Sequence, residues 1–339
     1  MKLHHTFLAA AATCAVAIAA PAAPSRAQTF DMKIGYASIN DPQDELSVRF
    51  IDEIDKKSGG KIKGRKFPAA QLGGIQRMIE GVQLGTQETW IGPPSFLVGL
   101  HPGFSAPDAP GIFDDTEHAH RALTDPAFRE RFVRLAEDKG IIVTQISVYD
   151  PTWIASLDPI RRLSDVRGKK LRIIASKVDI ELMNALGATG VPMDFAEVVP
   201  ALHSKTIDGV RSSIIVLGGM KAFTVAKYIT YDGSGIIPVV AATSKVWLDK
   251  LPADLRQLVI DTGRAYDRVG TDICNEFRTK AEKLWKDNGA TVIRLPAEDR
   301  RELAQKVIPL GDKILNENPR TKEIYDLLKA SAAKTKKSA

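Results

Sequence analysis

Cysteine is almost missing from this chain: Cys14 and Cys274 are the only two in 339 residues. Cys14 falls in an N-terminal stretch that does not read as part of the fold. Lys2 is followed by the apolar run 7–20, then by Pro21, Pro24 and Ser25-Arg26-Ala27. A basic start, a short apolar core and a small-x-Ala ending describe a secretory signal peptide at 1–27, cut between Ala27 and Gln28. The run is too short and too rich in alanine to span a bilayer, and the chain has no other long apolar run. Export would leave Cys274 alone, which excludes a disulfide framework and requires a core that holds the chain by burial. The roughly 310 remaining residues suffice for that and divide more naturally into two lobes than one.

An excess of charge of one sign is also lacking. Without 1–27, 45 basic residues face 41 acidic ones, a net charge of +4. The two signs are interleaved, as in Asp52-Glu53-Ile54-Asp55-Lys56-Lys57, so a nucleic-acid partner has little support. Catalytic and metal motifs are equally scarce. There is no nucleophile elbow and no zinc-binding His-Glu-x-x-His. Ser331-Ala332-Ala333-Lys334 has the Ser-x-x-Lys spacing but lies in a lysine-rich polar tail, 331–339, expected to be disordered. His118 and His120 stand two apart and leave a helix on different sides, unlike a zinc pair. Gly73-Gly74 before a helix lacks the Gly-Lys-Ser/Thr ending of a phosphate loop and reads as a tight turn. No enzyme, metal or cofactor is expected.

What is present is a series of strand-helix units. Strands are expected at 31–36, 61–68, 89–91, 141–148, 210–216 and 236–243. Helices are expected at 44–57, 75–84, from Thr116 onward and at 130–139. The stretch 92–110 is rich in proline and glycine and has little periodicity. Tyr149-Asp150-Pro151-Thr152-Trp153 looks like a crossing between lobes. A helix from Pro252-Ala253-Asp254 to about Trp285 is long enough to brace both lobes. The most informative unit is 169–209. Leu171-Arg172-Ile173-Ile174 is strand-like, Ser176 is a plausible N-cap, and Ile180, Met183 and Leu186 follow at helical spacing until Gly187. A second short strand at 190–193 leads through Phe195 into another helix, ending at Asp208-Gly209. Strand-helix-strand implies a right-handed crossover and a parallel sheet, an α/β fold. Arg172 stands near a strand end, where open α/β sheets bind ligands.

Order and spacing of several motifs resemble a known family. They are Phe67-Pro68-Ala69-Ala70-Gln71-Leu72-Gly73-Gly74, Ile79-Glu80-Gly81-Val82-Gln83-Leu84-Gly85-Thr86 and Arg167-Gly168-Lys169-Lys170-Leu171-Arg172. Val191-Pro192-Met193-Asp194-Phe195-Ala196-Glu197-Val198, Ile207-Asp208-Gly209 and Leu251-Pro252 continue the series. The chain is similar to DctP-type substrate-binding proteins of tripartite ATP-independent periplasmic (TRAP) transporters. The resemblance implies a two-lobed periplasmic-binding-protein clamshell with a long helix spanning both lobes. Lobe I would hold 28–149 and 238–277, lobe II 150–237 and 278–330. It also implies a monomeric periplasmic protein that passes a small organic acid to small and large integral-membrane subunits. Alternative readings are a ligand-presenting part of a sensory system and a secreted hydrolase.

The resemblance further implies that Arg172 grips the solute's carboxylate and that Phe195 packs on the solute. A planar guanidinium matches a carboxylate with two hydrogen bonds, and its burial is costly until an anion completes it. Other implied features are altered here. Thr152 stands where many relatives carry a second arginine, and Val210-Arg211-Ser212 replaces Gln-Glu-Asn, so that Ser212 takes the place of a polar amide. Arg211 is a candidate second cation. Tyr36, Trp90 and Trp153 crowd the expected cleft. Fewer polar groups and more rings point to a solute with an apolar or aromatic body.

Overall fold

Two strands far longer than any other organise the molecule. In the computed structural model, which describes residues 28–174 and 176–337, they are β4 (Ile141–Ser156) and β8 (Tyr228–Ser244). The signal peptide read at 1–27 lies outside the described residues. The shorter strands are β1 (Phe30–Gly35), β2 (Ile62–Phe67), β3 (Thr89–Gly92), β5 (Lys170–Ile173), β6 (Thr189–Pro192), β7 (Gly209–Ser212) and β9 (Thr291–Arg294). One mixed sheet runs β2-β1-β3-β8-β4-β7-β5-β6, with β9 beside β8.

The two long strands belong to both lobes. The C-terminal half of β8 pairs with β3 and the N-terminal half of β4, completing the first lobe; their other halves join β7 and β9 in the second. The sequence reading stops the first of these strands at 148 and starts the second at 236. Pro151 and Gly233-Ser234-Gly235 hide the continuation, because neither suits a regular ladder. The structure accommodates them with irregularities. Register shifts fall between Val148 and Asp150 and between Pro151 and Trp153. At the second, Trp153 pairs with Tyr231 while Pro151 pairs with Ile236, so residues 232–235 bulge out of β8. Gly233 takes φ +60 in that bulge, a conformation that favours glycine.

The long helix Ala253–Asp287 packs along β4 and against helices Pro42–Lys57 and Ile214–Gly219, one from each lobe. It covers the edge of β4 that β7 does not reach. Asp267 Oδ1 accepts the Ile146 N–H at 2.7 Å and Thr271 Oγ1 that of Val148 at 3.1 Å, replacing a missing strand. Close approach requires small residues: a Cβ added at Gly270 would stand 2.1 Å from Ser147 Oγ. Arg129 of the first lobe pairs with the buried Asp267 at 2.6 Å.

Three further expectations are corrected. The segment 210–216 is a strand only to Ser212; Ser213 then caps a helix, Ile214–Gly219, through its hydroxyl. The charged helix expected at 130–139 is instead Pro126–Phe132 followed by a 3-10 turn, Glu137–Lys139. The start of the expected polar tail is helix: Pro319–Thr335 is continuous, with Ser331 and Ala332 buried against the first lobe. His118 Nε2 donates to the Ala332 carbonyl at 2.8 Å, whereas His120 contacts Thr271, so the two histidines serve different packing contacts. Cys274 is buried and free. No helix among the described residues is long and apolar enough to cross a membrane.

Candidate ligand-binding cleft

The C-terminal ends of β1 and β3 in one lobe face those of β5 and β7 in the other, the location where open α/β sheets bind ligands. Between them lies a cavity of about 50 Å³. Its wall is mostly apolar: Trp90, Ile91, Phe96, Ile174, Val216, Ile237 and Val239 contribute, with Phe195. The polar groups are few, chiefly Arg172, Ser38, Gln43, Tyr149, Ser212 and Ser213.

Arg172 is 1% exposed. Its Nε and Nη2 both donate to the Met193 carbonyl, at 3.1 and 3.0 Å, and its guanidinium lies 4.9 Å from the Phe195 ring centroid. Nη1 is buried with no hydrogen-bond partner among the described residues, and no carboxylate there forms an ion pair with this arginine. Burial pulls its pKa down to about 10, opposed by the more distant charges of Asp179 and Asp194. Two nitrogens anchored on a neutral carbonyl, a ring against one face and a third nitrogen without a partner leave the charge of a cavity-lining arginine uncompensated. The local sequence explains the geometry. Arg172 leaves β5 on the face opposite Leu171 and Ile173, which pack into the second lobe's own core.

Arg211 has the opposite circumstances. Its Nη1 meets Asp179 Oδ1 at 2.6 Å, its Nε meets Asp232 Oδ2 at 2.9 Å, and its Nη2 donates to Ser234 Oγ at 2.8 Å. Burial works against its charge, but Asp179 and Asp232 outweigh it and hold the pKa above the ordinary arginine range. Asp232 and Ser234 come from the bulge in β8, which also wraps Thr152: the Thr152 hydroxyl donates to Asp232 and accepts from Gly235 N at 3.2 Å. Thr152, Arg211 and Ser212 line a second, smaller cavity of about 30 Å³, with Asp108, Asp179 and Ser95. It adjoins the first, sharing Pro93, Ile174, Ser212 and Ile237.

Of the residues singled out from sequence, Arg172, Phe195, Trp90 and Ser212 line the first cavity, and Thr152, Arg211 and Ser212 line the second. Tyr36 and Trp153 line neither. Tyr36 is wholly buried, its hydroxyl 2.5 Å from Asp44, and Trp153 packs edge-on to Tyr231 beneath Arg294. Sequence reasoning missed Ser38, Gln43, Phe96, Tyr149 and Asp108. The first two follow β1 and carry no motif of their own; Phe96 and Asp108 lie in the proline-rich passage, which folds as 3-10 turns, Pro94–Leu97 and Pro102–Asp108. Tyr149 donates to Asp41 at 2.5 Å, and burial, followed by that carboxylate's charge, raises its pKa. Among the described residues no cluster of three acidic, histidine or cysteine side chains could hold a metal.

Two lobes sharing long strands and closing on a buried cation define a protein that encloses a small molecule. The chain belongs to DctP, family 7 of the bacterial extracellular solute-binding proteins, whose model matches residues 35–318. The motif resemblance is thereby borne out. Among relatives, the 2,3-diketo-L-gulonate-binding periplasmic protein YiaO of Escherichia coli is 28% identical over 266 residues, 77% of this chain and 80% of its own. The C4-dicarboxylate-binding periplasmic protein DctP of Rhodobacter capsulatus is 28% identical over 299 residues, 86% and 88% of the two chains. The crystal structure of the sugar acid binding protein DctPAm from Advenella mimigardefordensis with galactonate shares the fold at a TM-score of 0.86. It is 24% identical, over 91% of this chain and 99% of that one.

Proposed function

We propose that this protein is the periplasmic receptor of a TRAP-type secondary transporter and captures a small organic acid through Arg172. The observation that carries this reading is a buried arginine with an unpartnered Nη1 in the wall of an apolar cavity between two lobes. The names of YiaO and DctP, both binders of organic acids, support it. The carboxylate would lie against Nη1, Phe195 would hold the guanidinium plane, and Trp90, Phe96 and Ile237 would cover the solute's body. Trapping follows from differential contact. An anion bridging Arg172 and the first lobe's wall gains contacts only when the lobes are together, so the solute favours the closed state.

In this reading residues 1–27 direct export and are removed, the mature monomer binds in the periplasm, and two integral-membrane subunits receive the solute. The lobes divide near Val148–Asp150 in β4 and near Ile237 in β8, and the C-terminal helix counts with the first lobe. Arg172 here binds; it performs no chemistry. A thermal-shift screen of mature protein against monocarboxylates, dicarboxylates, sugar acids and aromatic acids tests the proposal, because a bound solute stabilises the native state by mass action. Carboxylates should raise melting, and Arg172→Lys should abolish the shift. Stabilisation by neutral sugars or cations alone would refute it.

A further inference from the structure

The cleft has two open ends of opposite character. In the first cavity the unpartnered atom is a donor, Arg172 Nη1. In the second it is an acceptor: Asp108 Oδ2 is buried with no hydrogen-bond partner among the described residues, while Oδ1 accepts the Ser95 hydroxyl at 2.6 Å. Arg211 is already neutralised there: Asp179 and Asp232 hold its Nη1 and Nε, and Ser234 accepts from Nη2. Three carboxyl groups, Asp108, Asp179 and Asp232, surround that one cation.

Resting on the assignment of Arg172 as the carboxylate site, we propose that the second cavity takes a hydrogen-bond donor at the solute's far end. The preferred solute is then a monocarboxylate with an apolar middle and a terminal hydroxyl or amino group, and dicarboxylates are disfavoured. A second carboxylate would meet Asp108 and Asp179 in an acidic pocket whose one cation, Arg211, already has two carboxylate partners. A hydroxyl or ammonium would satisfy Oδ2 instead. Burial, followed by the charge of Asp179, pushes the Asp108 carboxyl up to about 7, so that a donor arriving there competes with a proton. Asp179, Arg211 and the Ser176 hydroxyl face it from the second lobe and Ser95 from the first.

Calorimetry on the mature chain at pH 7 with pentanoate, 5-hydroxypentanoate, 5-aminopentanoate and glutarate tests this, with four- and six-carbon sets in parallel. The hydroxy or amino acid should bind at least tenfold more tightly than either the unsubstituted acid or the dicarboxylate of its set. Preference for the amino acid would identify recognition of charge, and preference for the hydroxy acid recognition of a neutral donor. Asp108→Asn should shrink the advantage below threefold and improve glutarate. A readout that needs no variant is proton release: in buffers of different ionisation enthalpy the donor-bearing acids should release protons on binding and pentanoate should not. If a dicarboxylate or unsubstituted acid binds tightest, or if Asp108→Asn leaves the ratios unchanged, the inference is wrong. Acids that bind through Arg172 regardless of their far end would overturn this inference and leave the function intact. Failure of every acid in the sets to bind would overturn both.

Discussion

Arg172 and Arg211 are the same residue on neighbouring parallel strands, both buried, and they serve opposite ends. In register Arg172 pairs with Val210, so Arg211 leaves the sheet on the other face, toward helix Lys177–Ala185 and its Asp179. There two carboxylates neutralise it. Arg172 receives a carbonyl and a ring, neither of which cancels its charge. A buried cation with internal counterions is part of the structure; one without them is, in the proposed function, held ready for an anion from outside. Residue type does not separate the two roles, and the partners do.

The comparison can be broken first at its largest effect. Arg211→Ala strands Asp179 and Asp232, and should lower unfolding free energy by about 3–5 kcal/mol, read by urea denaturation without ligand. Arg172→Ala should cost about the same in solute affinity, read by calorimetry. Unliganded Arg172→Met should be as stable as the parent or up to about 4 kcal/mol more stable, because it removes an uncompensated buried charge. Equal loss of stability in both alanine variants would erase the distinction.

Titration sharpens it next. The folded chain keeps the Asp108 proton up to about pH 7, whereas the unfolded chain releases it near its ordinary value of 3.8. Between those values the folded state binds more protons, so this group makes stability fall as pH rises, by at most about 1.4 kcal/mol per pH unit. Asp150, pushed up to about 6 by burial against the pull of Arg278, adds a slope of the same sign. Asp108→Asn should flatten the decline between pH 4 and 7 in thermal melts, and an unchanged slope would discount the acidic end of the cleft.

The smallest effect concerns the contact between lobes. Helix Ile75–Leu84 of the first lobe has Gly74 at its N-cap and no side-chain cap of its own. Asp194 of the second lobe reaches across, its Oδ2 3.3 Å from Ile75 N, so the cap exists only while the lobes are together. Asp194→Ala should weaken solute binding by about 1 kcal/mol, roughly fivefold, with little change in unliganded melting. A loss confined to stability would mean that the contact does not favour closure.

These contrasts also explain what was legible in sequence. Arg172 could be placed because its surroundings are local: one strand, one helix and the return to Phe195 lie within a single strand-helix-strand unit. The orientation of Arg211 could not, because it depends on Asp232 and Ser234, which reach it only through the bulge in β8. That bulge is written as Asp-Gly-Ser-Gly, a turn signal by composition, so the sequence suggests a strand only from 236 and hides the part of β8 before it. Tyr36 and Trp153 illustrate the same difficulty for rings, whose burial in a core and placement in a cleft have one sequence signature. β9, four residues long with two exposed, carries too little pattern to read.

The C-terminal helix has a consequence for how the chain acquires its shape. It lies against the first lobe, where Ala332 contacts His118, Thr335 receives Arg121 and Lys334 pairs with Asp125, across more than 200 positions of sequence. The half of the molecule begun first is thus finished last. Until those final turns emerge from synthesis, helices Thr116–Thr124 and Pro126–Phe132 lack their cover, and loop closure over such a distance is slow. The packing of the first lobe therefore cannot be completed before the turns around Ala332 have been made.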